Sequence, residues 1–393
     1  MVKRRVLGLA ALASVGVLAA GCGSSESSSS GSSAGKSSEP VKIGLIVPLS
    51  GAAANPKIYV DPANDAVARL NADGGIDGRR VQVIKYDSGF TPEEAITAAR
   101  KATSDGVSAL IGLPVVSQVL AVKPVLDQSK LPLLFLGGGQ EAEYHADDSK
   151  GASEYSFRIG TPANLTTESG VEFSIRNLRA TDIGLLLRQE SAAQSNQELL
   201  TRAATDNGGR VSAARVITEG GTDVTSELLP MKDTDAIVSN DYPPTLALIL
   251  RQMQQYQMTQ PLVGEQSAAQ VFINRLAPAA LTKSLYSETP CNPSDSRRPE
   301  TPAWTRAYES AHGYTPDANS AITYDSFSIL KDAYEKAGSS DSADVLKQLE
   351  SLDYTGGVCE DYKTDPVHVT GHSAVIMSFA DGTPRTVQEF DGL

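Results

Sequence analysis

Apolar and polar positions along this chain alternate between short β-branched runs and helix-length amphipathic stretches. Residues 41–48 (VKIGLIVP) predict a strand, followed by a Gly/Ala-rich turn and a helix ending near Leu70. Residues 71–78 (NADGGIDG) stop that helix and turn the chain into a strand over 80–86. Thr91-Pro92-Glu93-Glu94 has the form of a capping box with proline at the first helical position, so a helix is expected from there to about Asp105. Residues 107–111 and 133–136 read as further strands, separated by a helix over 116–128. The pattern restarts after Gly160, where strands at 183–187, 210–216, 236–238 and 261–263 alternate with helices near 166–178, 195–206 and 245–257. Helices over 301–311, 320–337 and 341–352 follow, then a hairpin of 374–379 and 387–390 around Asp381-Gly382. Strands alternating with helices imply parallel sheets with right-handed crossovers, here in two α/β units.

The first forty residues follow different rules. Lys3, Arg4 and Arg5 precede a fifteen-residue apolar run, residues 6–20, and Leu18-Ala19-Ala20-Gly21-Cys22 is a small-residue cleavage site ending in cysteine. This is the pattern of a bacterial lipoprotein signal over residues 1–21, with Cys22 as the thiol that accepts the lipid. Ala19 stands where such sites usually carry leucine, which lies one place earlier, and ordinary secretory cleavage is the alternative. The run is shorter than the roughly 20 apolar residues that span a bilayer. Residues 22–40 are almost entirely Ser and Gly, a composition that buries no apolar surface and suits a flexible tether.

Charge and cysteine count narrow the classes further. The formal charge of −13 becomes about −16 without the three basic residues of the signal, which argues against nucleic acid as a partner. With Cys22 acylated, Cys291 and Cys359 remain, an even number in an oxidising compartment. They either form a disulfide, worth about 4 kcal/mol in the loop-entropy picture, or stay as two buried thiols. Alanine richness and an excess of arginine over lysine point to a high-GC bacterium, taken as Gram-positive.

Several segments, in order and spacing, carry a family resemblance. They are VKIGLIVPLSG (41–51), NADGGIDGR (71–79), DSGFTPEEA (87–95), DGVSALIG (105–112), GTDVTSEL (221–228) and TDAIV (234–238). From residue 41 to roughly its end the chain resembles the type I periplasmic binding proteins, in particular the branched-chain amino acid (Leu/Ile/Val) binding branch. The resemblance implies a two-lobed α/β clamshell, each lobe a mainly parallel sheet flanked by helices, with three crossovers near Gly160, Glu288 and residues 365–370. Lobe one is expected over residues 41–160 plus 289–367, and lobe two over 161–288 plus 368–393.

In such sheets ligands bind at the carboxyl ends of the strands. That rule selects the loops 50–55, 114–118 and 137–140 in the first lobe and 188–191, 240–242 and 264–267 in the second, and within them Ser50, Ala53, Asn55, Val116, Ser117, Gly138, Gly139 and Gln140, and Gln189, Asp241, Tyr242 and Glu265. Gly137, Gly138 and Gly139 would present backbone amides to an anionic or carbonyl group, or form a plain turn. Ser117 would donate to a carboxylate, or serve as a helix cap. Asp241 and Glu265 would meet an ammonium group and Tyr242 an apolar ligand face, the alternative being solvated loop acids. Glu265 matches the family's acidic position for the amino group. Val116 falls where the family places a serine contact, and Ala192 and Ala193 where a tyrosine is usual, so the ligand expected is amino acid-like, a small amide, an organic acid or an aromatic solute.

Enzymatic motifs fail on inspection. GHSAV (371–375) lacks the final glycine of a nucleophile elbow, and GKS (35–37) lacks the upstream glycine of a P-loop. His368 and His372, with Cys359 and Asp361 nearby, do not fall on one helical face, so no metal or other cofactor is expected. The expectation is a monomeric, membrane-anchored, extracytoplasmic solute-binding lipoprotein that serves the permease subunits of an ABC importer. The alternatives are a same-fold sensor receptor uncoupled from transport and an extracytoplasmic hydrolase.

Overall fold

Strand β1 (Val41–Val47) is apolar along nearly its whole length and almost entirely buried, as a central parallel strand covered on both faces must be. The computed structural model describes residues 39–51, 54–137, 153–189, 193–218, 220–339 and 341–390. Cys22, Ala53, Gly138, Gly139 and Gln140 lie outside the described residues. Parallel to β1 run β2 (Val81–Asp87) on one side and β3 (Ala109–Gly112) on the other. With β4 (Leu133–Phe135) and β5 (Ser156–Arg158) they form a five-stranded parallel sheet in the order β2-β1-β3-β4-β5.

Helices Lys57–Ala72, Pro92–Ser104 and Val116–Ser129 supply the crossovers. The second starts where the capping signal predicts, with the Thr91 hydroxyl accepting the Glu94 amide at 3.3 Å and Pro92 at its first position. Glu94 turns its carboxylate to the Thr91 hydroxyl, 2.9 Å away.

The second sheet contains β6 (Asp182–Arg188), β7 (Arg210–Ile217), β8 (Ala236–Ser239), β9 (Leu262–Gly264) and β10 (Leu285–Thr289), all parallel. A short ladder, β11 (Asp353–Tyr354) with β12 (Tyr362–Lys363), stands apart. The hairpin β13 (Ala374–Ser378) and β14 (Arg385–Phe390) adds two antiparallel strands beside β10, giving the order β14-β13-β10-β9-β8-β6-β7. The sequence pattern misses β5 and β10 for one reason. Ser287, Glu288 and Thr289 of β10 and Ser156 and Arg158 of β5 are polar yet fully buried, so neither strand reads as an apolar run.

After β10 the chain returns to the first sheet. Ile322, Phe327, Leu330 and Tyr334 of helix Ala318–Ala337 pack in one core with Ile43, Leu45 and Ile111. The chain therefore passes between the sheets after Arg158, after Thr289 and after Thr370. The first and third passages run side by side, since the Arg158 amide donates to the His368 carbonyl and the Thr370 amide to the Arg158 carbonyl, both at 2.8 Å. A disulfide joins Cys291, at the second passage, to Cys359, both buried. His368 is stacked on Phe157, with ring centroids 4.3 Å apart.

Candidate functional site

Parallel strands present all their carboxyl ends to one edge of a sheet, and the loops there are shaped by the residues that end each strand. On the first sheet, Asp87 closes β2 and gathers the loop after β1. Its carboxylate accepts the Leu49 and Gly89 amides, each at 2.9 Å, and the Ser50 hydroxyl. Burial pushes the Asp87 carboxyl up, but the hydrogen bonds from Ser50, Gly89 and Leu49 outweigh it and hold it below its usual value. The Ser50 hydroxyl is thus engaged in building the loop. Asn55 is half-buried just before helix Lys57–Ala72.

At the end of β3, Leu113 adopts a left-handed backbone with φ 53°, a strained conformation for a branched residue. The chain then enters helix Val116–Ser129 with Val116 turned into the hydrophobic core and Ser117 exposed on the first turn. Gln118, fully buried, donates its side-chain amide to the Ser88 carbonyl at 2.9 Å and so fixes the neighbouring loop. After β4, Gly137 lies so close to Pro114 and Phe135 that a Cβ would fall 2.5 Å from each. Only glycine fits at that position.

The second sheet's edge is more polar. Arg188 ends β6, and its backbone amide donates to Asn240 Oδ1 at 2.9 Å. Its guanidinium Nη1 donates to the Asn240 carbonyl at 2.7 Å and to Glu265 Oε1 at 3.2 Å, while the guanidinium lies 4.5 Å from the centre of the Tyr242 ring. Gln189, the next residue, is exposed. Asp241 is buried and accepts the Tyr242 amide at 2.7 Å, at the start of helix Pro243–Gln255. Behind Glu265, burial first and the charge of Glu265 second push the fully buried Glu288 well above the usual carboxyl range, with Thr167 drawing it partly back. Glu288 packs against Gly170 of helix Ala163–Arg176, where a Cβ would lie 1.9 Å from its carboxyl oxygen.

Two residues outside the strand-end loops, Gln270 and Asp317, join the two edges. Gln270 of helix Ser267–Ile273, on the second sheet, points its side-chain amide at Asp317 Oδ2, 3.5 Å away. Asp317 caps helix Ala318–Ala337 of the first core by accepting the Ser320 amide and hydroxyl, both at 2.9 Å. Burial raises the Asp317 carboxyl, and Ser320 and Gln270 oppose that rise. Tyr59, buried on helix Lys57–Ala72, is pushed up by burial first and then by the charges of Asp317 and Tyr242. The arrangement is two polar edges linked through Gln270 and Asp317.

The structure therefore brings Asp241, Tyr242 and Glu265 together and leaves Val116 facing inward. Tyr59, Asp317 and Gln270 were not selected from the sequence, and Arg188 only as the first residue of a strand-end loop, with no role given to it. Arg188 carries a signal, a cation directly after the apolar run of β6; the other three lie on or beside helices, where no strand-end rule points. Among the described residues, no group of three or more His, Cys, Asp or Glu side chains is placed to hold a metal ion.

Known proteins share this architecture. A family model described as periplasmic binding protein matches residues 40–383. The Leu/Ile/Val-binding protein of Escherichia coli K12 is 23% identical over 273 residues, covering 65% of this chain and 70% of that protein. Among solved structures, the branched-chain amino acid transporter substrate binding protein of Streptococcus pneumoniae in complex with isoleucine superposes with a TM-score of 0.78 at 21% identity, over 90% of this chain and 99% of that one. A solute binding protein of an ABC transporter from Rhodopseudomonas palustris, in complex with 3,4-dihydroxy benzoic acid, also gives a TM-score of 0.78, at 16% identity over 90% and 98% of the two chains.

Proposed function

Because the chain belongs to the periplasmic binding protein family, we propose that it captures a small polar solute of amino acid size between its two sheets and delivers it to the permease subunits of an ABC importer. The observation that carries this reading is the pair of polar strand-end edges bridged through Gln270 and Asp317. Two sheets joined by three passages can hinge, and a solute held by both edges stabilises the closed form. Lobe one is residues 41–160 with 289–367 and lobe two 161–288 with 368–393; Ser117 from the first and Asp241, Tyr242 and Glu265 from the second line the cleft.

We assign residues 1–21 to a signal peptide and Cys22 to lipidation, so that residues 23–40 tether a monomeric receptor to the outer face of the cell membrane. The solved neighbours in complex with isoleucine and with 3,4-dihydroxy benzoic acid have the same fold, which supports an amino acid, amide or organic acid as the solute. A thermal-shift screen of those three classes tests the reading. A ligand at 100 times its dissociation constant adds about 2.7 kcal/mol of stability, and solution scattering of the same sample should show compaction. No stabilisation by any member of the three classes would overturn it.

A further inference from the structure

We infer that Glu360 is a positioning residue for lobe closure: its carboxyl group clamps the third passage to the first lobe, so the cleft bends beside Thr161 and Ser373. The inference rests on the two-lobed solute-binding reading above and names the residue that confines its motion. On the first passage the Ile159 amide donates to the Phe135 carbonyl at 2.9 Å, which keeps the chain on the first sheet until Thr161; Pro162 then opens helix Ala163–Arg176 of the second lobe. On the third passage the Thr370 amide and hydroxyl donate to the Arg158 carbonyl at 2.8 and 2.7 Å. Gly371 follows so closely that a Cβ would stand 2.3 Å from the Ile159 carbonyl oxygen. Glu360 Oε2 then accepts the His372 and Ser373 amides at 3.0 and 3.1 Å, and the Ser373 carbonyl accepts the Thr161 hydroxyl at 2.7 Å. Ser373 is thus held through both its amide and its carbonyl, and the next residue, Ala374, begins β13 of the second sheet.

The clamp itself is anchored in the first lobe. Asp325 of helix Ala318–Ala337 accepts the Val358 and Cys359 amides at 2.8 and 2.9 Å and the Tyr362 hydroxyl at 2.9 Å, which fixes the backbone on either side of Glu360. Cys359 is also bonded to Cys291 of the second passage. That passage is held from both lobes, because the Asn292 side-chain amide donates to the Thr386 hydroxyl of β14 at 3.1 Å and Asp295 accepts the Thr386 amide at 3.0 Å. Residues 368–373, which chain order places in lobe two, therefore move with lobe one. The bends left to the first and third passages are the bonds from Thr161 into helix Ala163–Arg176 and from Ser373 into β13. A hinge confined to so few bonds has little backbone freedom left to lose when the lobes close, so less of a solute's binding energy goes into ordering the chain.

The test uses the full chain without solute, read by residue-resolved amide hydrogen exchange and by solution scattering. In the wild type the His372 and Ser373 amides should exchange as slowly as the Thr370 amide. Glu360→Ala should speed exchange at both positions roughly tenfold, about what one lost hydrogen bond allows, and should enlarge the radius of gyration. The Val358 and Cys359 amides, bound by Asp325, should keep their protection in that variant, which separates a loosened hinge from a damaged lobe. Glu360→Gln retains an acceptor oxygen and should restore both the protection and the radius. If the alanine variant fails to fold, Thr161→Val, which releases the Ser373 carbonyl and leaves Glu360 in place, carries the same scattering comparison. Free exchange at His372 and Ser373 in the wild type would overturn the inference. So would an unchanged radius of gyration in a variant whose passage has been released. Because no solute enters the experiment, either result leaves the solute-binding reading standing, and failure of the solute screen leaves the hinge result standing.

Discussion

Gln270 Nε2 lies 3.5 Å from Asp317 Oδ2, and the two residues belong to helices packed on different sheets. The contact is long, but it bridges the cleft. Gln270→Ala removes it while leaving the Ser320 cap on Asp317 in place. A hydrogen bond to a carboxyl group contributes about 1 kcal/mol net, so ligand affinity should fall several-fold and the unliganded protein should open. Calorimetry and solution scattering read these two effects. Unchanged affinity and unchanged radius of gyration would remove this pair from the closing mechanism.

The disulfide between Cys291 and Cys359 closes a loop across a sequence separation of 68 residues and anchors the second passage to the segment beside the third. Loop entropy predicts about 4 kcal/mol of stabilisation, with measured cases commonly at 2–4 kcal/mol. The double serine variant should therefore lose about that much in urea unfolding. The wild-type protein, unfolded without reductant, should show no reactive thiol at either position.

Much of the scaffold is legible along the chain because its signals are local. The Thr91-Pro92 start, the apolar runs of β1, β6 and β8, and the Asp381-Gly382 turn each depend on residues within one element. The cleft is only half legible. Strand-end logic reaches the edge that holds Asp241, Tyr242 and Glu265, since a strand's carboxyl end is a sequence position. It does not reach Asp317 or Gln270, whose meeting depends on how two cores are joined. Nor does it show that Ser50 is engaged by Asp87 or that Val116 faces the core, since both follow from packing between segments distant in sequence.

The anchor assigned to Cys22 has a direct test in cells. Cys22→Ser removes the thiol that would accept the lipid, so the mature protein would have lost its anchor once the signal is cleaved. The variant should leave the membrane fraction for the medium or periplasm, while the purified protein binds its solute as before. Equal membrane retention of variant and wild type would exclude lipidation at this position.

The last expectation concerns pH and follows from a buried acid at the passages. Glu360 is fully buried, and its Oε2 accepts the His372 amide at 3.0 Å and the Ser373 amide at 3.1 Å on the third passage. Burial drives its pKa to about 8; His372 and Ser373 pull it down, and Asp325 pushes it up. Asp325, held by the Val358 and Cys359 amides and by the Tyr362 hydroxyl, is itself raised by burial to about 7. Both folded values exceed those of the unfolded chain, so between the ordinary carboxylate range and about pH 8 the native state binds more protons than the unfolded state. Stability from these groups is complete below that range and is lost as pH rises through 7 to 8. The opposite case is Asp235, lowered chiefly by the Thr181 amide and hydroxyl, which costs stability only as pH falls below the usual carboxylate range. Urea unfolding should therefore show greater stability at pH 5 than at pH 9, by an amount on the order of 3 kcal/mol. Glu360→Gln keeps an oxygen for the two amides and cannot ionise, so it should flatten the profile and be at least as stable as wild type at pH 9. A variant profile parallel to that of wild type would assign the pH dependence to other groups.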